Sequence, residues 1–175
     1  MKTSTKTPAQ KPRWRRWLLE AVIFIALLYA LQGWMAREMV SGTAPELVAQ
    51  DLAGQTVELA AASQAPTLVY FWATWCPVCK VMESDIHAIA QDHRVISIAM
   101  QSGSTDEIQQ HLRERGLQFT TLSDPDGGLA RQWGVHAVPA AFVVLPNGEI
   151  FSKTRGYSTE LGLRARLWWA NSAQN

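Results

Sequence analysis

The feature that most constrains the fold of this chain is an apolar, β-branched run that leads into a closely spaced pair of cysteines. The run Thr67 to Trp72 predicts a buried strand, and Cys76-Pro77-Val78-Cys79 follows shortly after it. Proline is tolerated at the first position of a helix, so Cys76 is expected at a helix N-terminus. Unpaired backbone N–H groups and the helix dipole favour a thiolate there. Cys79, one turn further along, can then attack a mixed disulfide on Cys76, so the pair predicts a redox-active dithiol.

Other uses of a cysteine pair fit the sequence less well. A structural zinc site needs four ligands, and the nearest histidines, His87 and His93, lie at no spacing that suits one. Covalent haem attachment needs a histidine directly after the second cysteine, where this chain has Lys80. A purely structural disulfide over so short a loop would constrain the unfolded chain little. We therefore expect no metal ligands and no cofactor besides the redox-active disulfide Cys76–Cys79.

The N-terminal region predicts a membrane anchor. Residues 1–16 carry six basic side chains and no acidic one, and are expected to form a basic cytoplasmic tail. Residues 17–36 are almost wholly apolar and come close to the roughly 20 residues that a helix needs to span a bilayer. Trp17 and Trp34 lie near the ends of this segment, as residues at a membrane interface do. By the positive-inside rule the tail stays in the cytoplasm and the rest of the chain is exported, which in a bacterium means into the periplasm.

A cleavable signal peptide is the alternative to an uncleaved anchor, because the apolar centre of the segment is short enough for one. Cleavage needs small residues at the last and third-last positions before the cut. A cut after Ala36 would have the bulky Trp34 as third-last residue, and a cut after Ala44 would be followed directly by Pro45. The sequence therefore favours an uncleaved anchor.

Charge divides the chain into two unlike parts. Residues 1–37 hold seven basic groups and one acidic group, whereas residues 38–175 hold nine basic and fourteen acidic groups. The exported part is mildly acidic, so it has no electrostatic basis for binding nucleic acid. We expect a linker at 37–46 and one domain at 47–171, a length that suits a single hydrophobic core.

Strand and helix patterns alternate along the exported part. Strands are predicted where apolar residues run continuously, and helices where they recur at helical spacing. The predicted strands are Thr67 to Trp72, Arg94 to Met100, Phe119 to Leu122, Ala140 to Leu145 and Glu149 to Phe151. The predicted helices are Pro77 to Gln91, Thr105 to Arg115, Gly127 to Trp133 and Leu161 to Trp169, and a turn is expected within Leu47 to Leu59. This order predicts an α/β fold with a mixed sheet that is covered by helices on both faces.

Two motifs of the chain resemble those of a known family. Residues 70–80 have the sequence Tyr-Phe-Trp-Ala-Thr-Trp-Cys-Pro-Val-Cys-Lys, and residues 133–139 have Trp-Gly-Val-His-Ala-Val-Pro, with a hairpin signal at Pro146-Asn147-Gly148. Over residues 45–170 the chain resembles the thioredoxin superfamily. The expected anchor makes it similar to the membrane-tethered TlpA-like branch, and within that branch to the suppressor for copper sensitivity group. The resemblance implies a thioredoxin-like fold preceded by one transmembrane helix.

The resemblance also implies roles for individual residues. Cys76 matches the attacking thiol, Cys79 matches the resolving thiol, and Pro139 matches a cis-proline that faces both. Val138 matches the residue whose backbone pairs with a bound substrate chain. An apolar rim around Cys76 is expected to bind an extended peptide. Its expected members are Trp72, Trp75, Val78, Val138 and Ala140. The residues expected to bind the substrate are Trp75, Pro77, Val78 and Val138.

Three positions depart from the family pattern and leave any proton acceptor unassigned. Tyr70 stands where thioredoxins carry a buried acid, Met82 where many relatives carry an active-site Glu, and Ser84 where many carry a proline that kinks the helix. Glu83, next to Met82, is expected to point elsewhere around the helix and to be a solvated residue. His136 is expected to be an exposed loop histidine.

These observations predict an enzyme, a protein thiol:disulfide oxidoreductase anchored in the inner membrane with its catalytic domain in the periplasm. Its expected partners are periplasmic protein thiols and disulfides, a membrane protein that donates electrons, and the lipid bilayer around residues 17–36. A reductive role, which the resemblance connects with copper-stress tolerance, is favoured over an oxidative one. The alternatives are a copper-binding or chaperone module that uses the same two thiolates, and peroxide reduction, which the close cysteine pair and its Trp-Cys context disfavour.

Overall fold

The computed structural model describes residues 17–24, 26–27, 37–60 and 64–173. Within 37–60 and 64–173, strands and helices alternate in the order that the sequence predicts. The strands are β1 (Val48–Gln50), β2 (Thr56–Glu58), β3 (Thr67–Trp72), β4 (Val95–Met100), β5 (Thr120–Asp124), β6 (Ala140–Val144) and β7 (Ile150–Arg155). The helices are α1 (Pro77–Ile89), α2 (Thr105–Glu114), α3 (Gly128–Gln132) and α4 (Glu160–Ser172).

A mixed five-stranded sheet with the order β5-β4-β3-β6-β7 forms the centre of the fold. Strands β3, β4 and β5 are parallel, whereas β6 pairs antiparallel with both β3 and β7. Strands β1 and β2 form a separate antiparallel hairpin. Parallel neighbours require helical crossovers, and α1 and α2 supply them. The predicted mixed sheet is confirmed.

The central strand β3 is buried along its whole length because side chains on both of its faces enter a hydrophobic core. Leu68, Tyr70 and Trp72 point to the layer formed by α1, α2 and α4. Val69 and Phe71 point to the opposite layer, which includes residues of α3 and the Trp133 ring. Burying side chains of this size contributes about 1.5–3 kcal/mol each, so the core fixes the strand that leads into the cysteines. The predicted helices on both faces are confirmed.

Local sequence signals set the ends of several elements. Ser104 caps α2 in a capping box, in which its side chain accepts from the Glu107 N–H and the Glu107 side chain binds the Ser104 N–H. Gly148 lies in the tight turn between β6 and β7 with φ +84°, a conformation that favours glycine. Strand β7 is longer than the predicted Glu149 to Phe151 because its polar residues pair along the full length of β6.

Residues 37–46, which we expected to be a linker, make hydrogen bonds to the domain. The Val40 N–H donates to the Trp133 carbonyl (3.2 Å), and the Ala44 N–H donates to the Gly148 carbonyl (2.8 Å). The Met39 side chain is buried, and its carbonyl accepts from Lys153 Nζ. The segment therefore runs along the β7 side of the sheet.

Part of the predicted anchor lies outside the described residues. Residues 17–24 and 26–27 are helical. Among the residues that the structure describes, no helix reaches the length and hydropathy needed to cross a membrane. The basic tail predicted at 1–16 lies wholly outside the described residues, as do residue 25 and residues 28–36 of the predicted anchor.

Candidate active site

The two cysteines lie at the junction between β3 and α1. Helix α1 begins at Pro77, and Cys76 is its N-cap residue with extended backbone (φ −85°, ψ 113°). The Cys76 sulfur accepts a hydrogen bond from the Cys79 backbone N–H (3.2 Å). No acidic side chain lies in the first turn of this helix, so the N–H groups there meet no local negative charge. The predicted helix N-terminus at Cys76 is confirmed.

Cys76 and Cys79 form a disulfide with a Cα–Cα distance of 5.3 Å. Cys79 is fully buried, whereas Cys76 is 3% exposed. The disulfide therefore lies at the edge of the core, with Cys76 on the side nearer to solvent. A bond in this position can exchange with a thiol that approaches Cys76 from outside.

The loop before β6 lies against the disulfide, although it is far away in sequence. The Val138–Pro139 peptide bond is cis, as the resemblance implies. The Cys76 sulfur lies 3.7 Å from the Val138 carbonyl oxygen. The Pro139 carbonyl accepts a hydrogen bond from the Gly156 N–H (2.8 Å), which ties the loop to the end of β7. The fold thus brings Cys76, Val138 and Pro139 together.

The apolar rim around Cys76 is smaller than the sequence predicts. Trp75 is 55% exposed and Val78 is 41% exposed, and the Trp75 Nε1–H donates to the Gln101 carbonyl (2.9 Å). The predictions for Trp72 and Ala140 are wrong, because both side chains are buried in the core. Both residues belong to central strands whose two faces are covered, so neither reaches the surface. Pro77 is exposed beside Val78, and Val138 is half-buried.

Glu83 is fully buried, so the prediction that it is a solvated helix residue is wrong. Its Oε1 lies 2.7 Å from His111 Nε2, and its Oε2 accepts a hydrogen bond from Arg115 Nε. Arg115 Nη2 also donates to the Lys80 carbonyl (3.1 Å), directly after the second cysteine. The buried carboxylate thus joins the active-site helix to α2.

Neither His111 nor Arg115 is predicted at the site from the sequence. The two residues lie four apart near the end of α2, so both can face the same neighbour. The His111 ring also contacts Trp72, with ring centroids 5.5 Å apart. The helical spacing of the two basic residues was the available signal, but nothing local in the sequence pairs them with Glu83.

Tyr70 is fully buried beneath α1, and its hydroxyl has no hydrogen-bond partner among the described residues. Burial raises the pKa of Tyr70 far above its ordinary value, and the negative charges of Glu83 and Asp85 raise it further. Tyr70 is therefore a neutral phenol and cannot replace the buried acid of thioredoxins as a proton acceptor.

The remaining positions with expected roles lie around the site. Met82 is buried in the core, Ser84 and Lys80 are exposed, and His136 is exposed as predicted. Within the described ranges, no group of three or more His, Cys, Asp or Glu side chains is arranged to hold a metal ion.

Comparisons with known proteins identify relatives of this chain. The model of the AhpC/TSA family matches residues 40–153. A thioredoxin-like protein of Haemophilus influenzae is 30% identical over 154 residues, which cover 87% of this chain and 92% of the relative. The thiol:disulfide interchange protein DsbE of Allochromatium vinosum is 32% identical over 153 residues, which cover 81% of this chain and 84% of the relative.

A solved structure supports the fold. The structure of DsbF from MTB, in mixed oxidized and reduced forms, matches with a TM-score of 0.65 at 24% identity and covers 73% of this chain and 99% of that chain. This likeness establishes the thioredoxin-like fold, and the sequence relatives establish the class of activity. The chain is an enzyme, a thiol:disulfide oxidoreductase of the DsbE type. With the family model matched over most of its domain, the chain belongs to the AhpC/TSA family.

Proposed function

We propose that the chain is a membrane-anchored periplasmic oxidoreductase that reduces disulfides in partner proteins. The observation that carries the proposal is the Cys76–Cys79 disulfide, which lies at the N-terminus of α1 and against the Val138–Pro139 loop. The helix N-terminus stabilises a thiolate on Cys76, and the fully buried Cys79 is protected from partners in solution.

The chemistry follows from this asymmetry. In the reduced protein, the Cys76 thiolate attacks one sulfur of a partner disulfide, which forms a mixed disulfide and releases the other partner sulfur as a thiolate. Cys79, after losing its proton, attacks Cys76, which releases the second partner thiol and restores the Cys76–Cys79 disulfide. Two electrons pass to the partner, and a membrane reductant must return them.

The exposed apolar surface beside Cys76 supports a protein substrate. Trp75 and Val78 offer apolar contacts, and Pro77 lies between Cys76 and Val78. The backbone of Val138 lies close enough to Cys76 to pair with an extended partner segment around the attacked cysteine. A small-molecule disulfide would use little of this surface.

Trapping of mixed disulfides tests the two cysteine roles. In Cys79→Ser the nucleophile still attacks but nothing releases the product, so this variant accumulates mixed disulfides with partner proteins. Cys76→Ser should trap none. Equal trapping by the two variants, read on non-reducing gels with reduction as the control, would reverse or remove the assigned roles.

The direction of electron flow is tested by equilibrating the full chain in glutathione redox buffers. A reductant has a reduction potential well below those of strong periplasmic oxidants, which lie at about −120 mV. A potential in that oxidising range would contradict the reductive role.

The membrane anchor rests on residues 17–36 and on the basic residues before them. The full chain should resist alkaline extraction from bacterial membranes, whereas a chain that begins at residue 37 should be released. Protease added outside the inner membrane should digest the domain and leave the N-terminal tail protected. Release of the full chain by alkali would remove the anchor from the proposal.

The resemblance to the suppressor for copper sensitivity group (ScsD) further supports a role in copper-stress tolerance. A strain that lacks the protein should grow more poorly in copper, and Cys76→Ser should fail to restore growth. The reduced chain should not retain copper through purification without chelator. A stable stoichiometric copper complex would instead favour the metal-binding alternative.

A further inference from the structure

One buried charge near the dithiol takes no part in the exchange steps described above. Glu83 follows Cys79 by one turn of α1 and is fully buried. Both of its carboxylate oxygens are engaged, one with His111 Nε2 (2.7 Å) and the other with Arg115 Nε. A carboxylate whose oxygens are both occupied is poorly placed to accept a proton from a thiol. It can act on the sulfurs through its charge.

The charges of Glu83 and Arg115 do not cancel at the dithiol, because their exposures differ. The Glu83 side chain is 0% exposed, whereas the Arg115 side chain is 43% exposed. Water screens the guanidinium more strongly than the carboxylate, so the negative charge acts over a longer range within the protein. The Glu83 charge reaches Tyr70 beneath α1, where it adds to burial in raising the pKa of the hydroxyl.

We propose that Glu83 is a positioning residue of the redox site, whose buried negative charge opposes the thiolate form of the dithiol and makes the reduced protein a stronger electron donor. The N-terminus of α1 stabilises the thiolate, and Glu83 limits that effect. Raising the free energy of the reduced form shifts the two-electron equilibrium toward the Cys76–Cys79 disulfide. The inference rests on the proposed function, since it concerns the same dithiol.

Other titratable or charged groups lie on α1 and on the elements around it. They are Lys80 and Asp85 on α1, Tyr70 on β3, His111, Glu114 and Arg115 on α2, His136 in the loop before Pro139, Arg155 at the end of β7, and Glu160 on α4. Each of the charged groups in this set keeps some exposure to water, whereas Glu83 is fully buried. Its field at the sulfurs is therefore the least screened of the set.

A pair of variants of opposite charge tests the proposal. Glu83→Gln removes a negative charge, so its equilibrium with glutathione should shift by about fivefold toward the dithiol, the order expected of one charge roughly two helical turns from Cys76. The pH midpoint of its thiolate absorbance should fall. Arg115→Gln removes a positive charge, so both quantities should shift the opposite way, by less than fivefold because this side chain is exposed. The full chain is used throughout.

Asp92→Asn is the matched control, because it makes the same carboxylate-to-amide change beyond the far end of α1, where the side chain is exposed. It should leave both quantities unchanged. A merely structural role for the Glu83 contacts would loosen α1 in both variants and shift both in the same direction, which would overturn the proposal. No shift in either variant would overturn it as well.

These measurements distinguish failure of this inference from failure of the proposed function. If the unaltered chain does not exchange with glutathione, or if Cys79→Ser traps no partner, the proposed function fails. If the unaltered chain exchanges with glutathione, and Glu83→Gln has the same glutathione equilibrium and the same pH midpoint of thiolate absorbance, only the inference fails. Should Glu83→Gln not fold, Arg115→Gln decides alone. A shift toward the disulfide supports the proposal, and a shift toward the dithiol or no shift overturns it.

Discussion

The two ends of helix α1 are held by the same kind of contact in different surroundings. Near the cysteines, Arg115 of α2 binds the Glu83 carboxylate and the Lys80 carbonyl. Near the other end, Arg164 of α4 binds the Asp92 carboxylate (2.7 Å) and the Ala88 carbonyl (3.0 Å). In each case an arginine from a neighbouring helix joins a carboxylate to a backbone carbonyl of the α1 region.

The exposure of each carboxylate to water determines how much its contacts stabilise the fold. The Glu83 side chain is 0% exposed, whereas the Asp92 side chain is 56% exposed. An exposed pair gains little, because water and salt screen it and both side chains lose freedom. A buried carboxylate must keep its partners, because losing them leaves an uncompensated charge in the core. The comparison implies that the cysteine end of α1 is fixed by specific contacts and the far end mainly by packing.

The largest expected effect on stability is that of Glu83→Ala. Removing the carboxylate leaves His111 without its partner and opens a cavity beneath α1. We expect a loss of about 3 kcal/mol in the free energy of unfolding, at the low end for a broken buried pair because Arg115 can turn to water. Urea unfolding of the oxidised chain, followed by circular dichroism, measures it. A loss below about 1 kcal/mol would show that burial does not distinguish the two ends.

Arg115→Lys sharpens the comparison, because it keeps the charge and changes the geometry. A lysine ammonium cannot present the planar fork that reaches both the Glu83 carboxylate and the Lys80 carbonyl. We expect a loss of about 1.5 kcal/mol in the same unfolding experiment. The matched change Arg164→Lys at the far end should produce no measurable loss, and equal losses in the two variants would contradict the comparison.

The cysteine end of α1 also separates what the sequence could predict from what it could not. Strand β3 and the start of α1 follow from a continuous apolar run and a proline beside a cysteine, which are local signals. The turn at Gly148 and the cap at Ser104 are local as well. These elements agree with prediction because each is specified within a few neighbouring residues, and the mixed sheet follows from their order along the chain.

The burial of Glu83 could not be predicted in this way. Its partners His111 and Arg115 lie 28 and 32 residues further along the chain, on a different helix. Before the helices are packed, a glutamate beside Met82 has the pattern of an exposed residue. Trp72 was misplaced for a related reason, because only the complete sheet shows that helices cover the face to which it points. Long-range pairing determined both outcomes.

Tyr70→Phe should raise the free energy of unfolding, by a smaller amount than Arg115→Lys lowers it. The Tyr70 hydroxyl is buried without a hydrogen-bond partner among the described residues, so it lost its contact with water and gained none in return. Phenylalanine keeps the ring, so we expect a gain of about 1 kcal/mol in the free energy of unfolding at pH 7. The gain should grow above about pH 10, where the unfolded chain ionises the tyrosine and the folded chain does not. A loss of stability would show that the hydroxyl is satisfied in solution.

The smallest expected effect is that of Asp92→Asn. The hydrogen bond from Arg164 lowers the pKa of Asp92, so the pair stabilises the fold above the ordinary range of the carboxyl and loses that effect as the pH falls through the lowered value. Because the side chain is exposed, solvent screening reduces the effect, and the melting temperatures of the variant and the unaltered chain should coincide from pH 5 to pH 8. Any small difference should disappear as the pH falls below the ordinary range of the carboxyl and through the lowered value, where the carboxylate of the unaltered chain also becomes neutral. A loss at pH 7 comparable with that of Glu83→Ala would mean that the far end of α1 is also held by its ion pair, and the distinction between the two ends would be withdrawn.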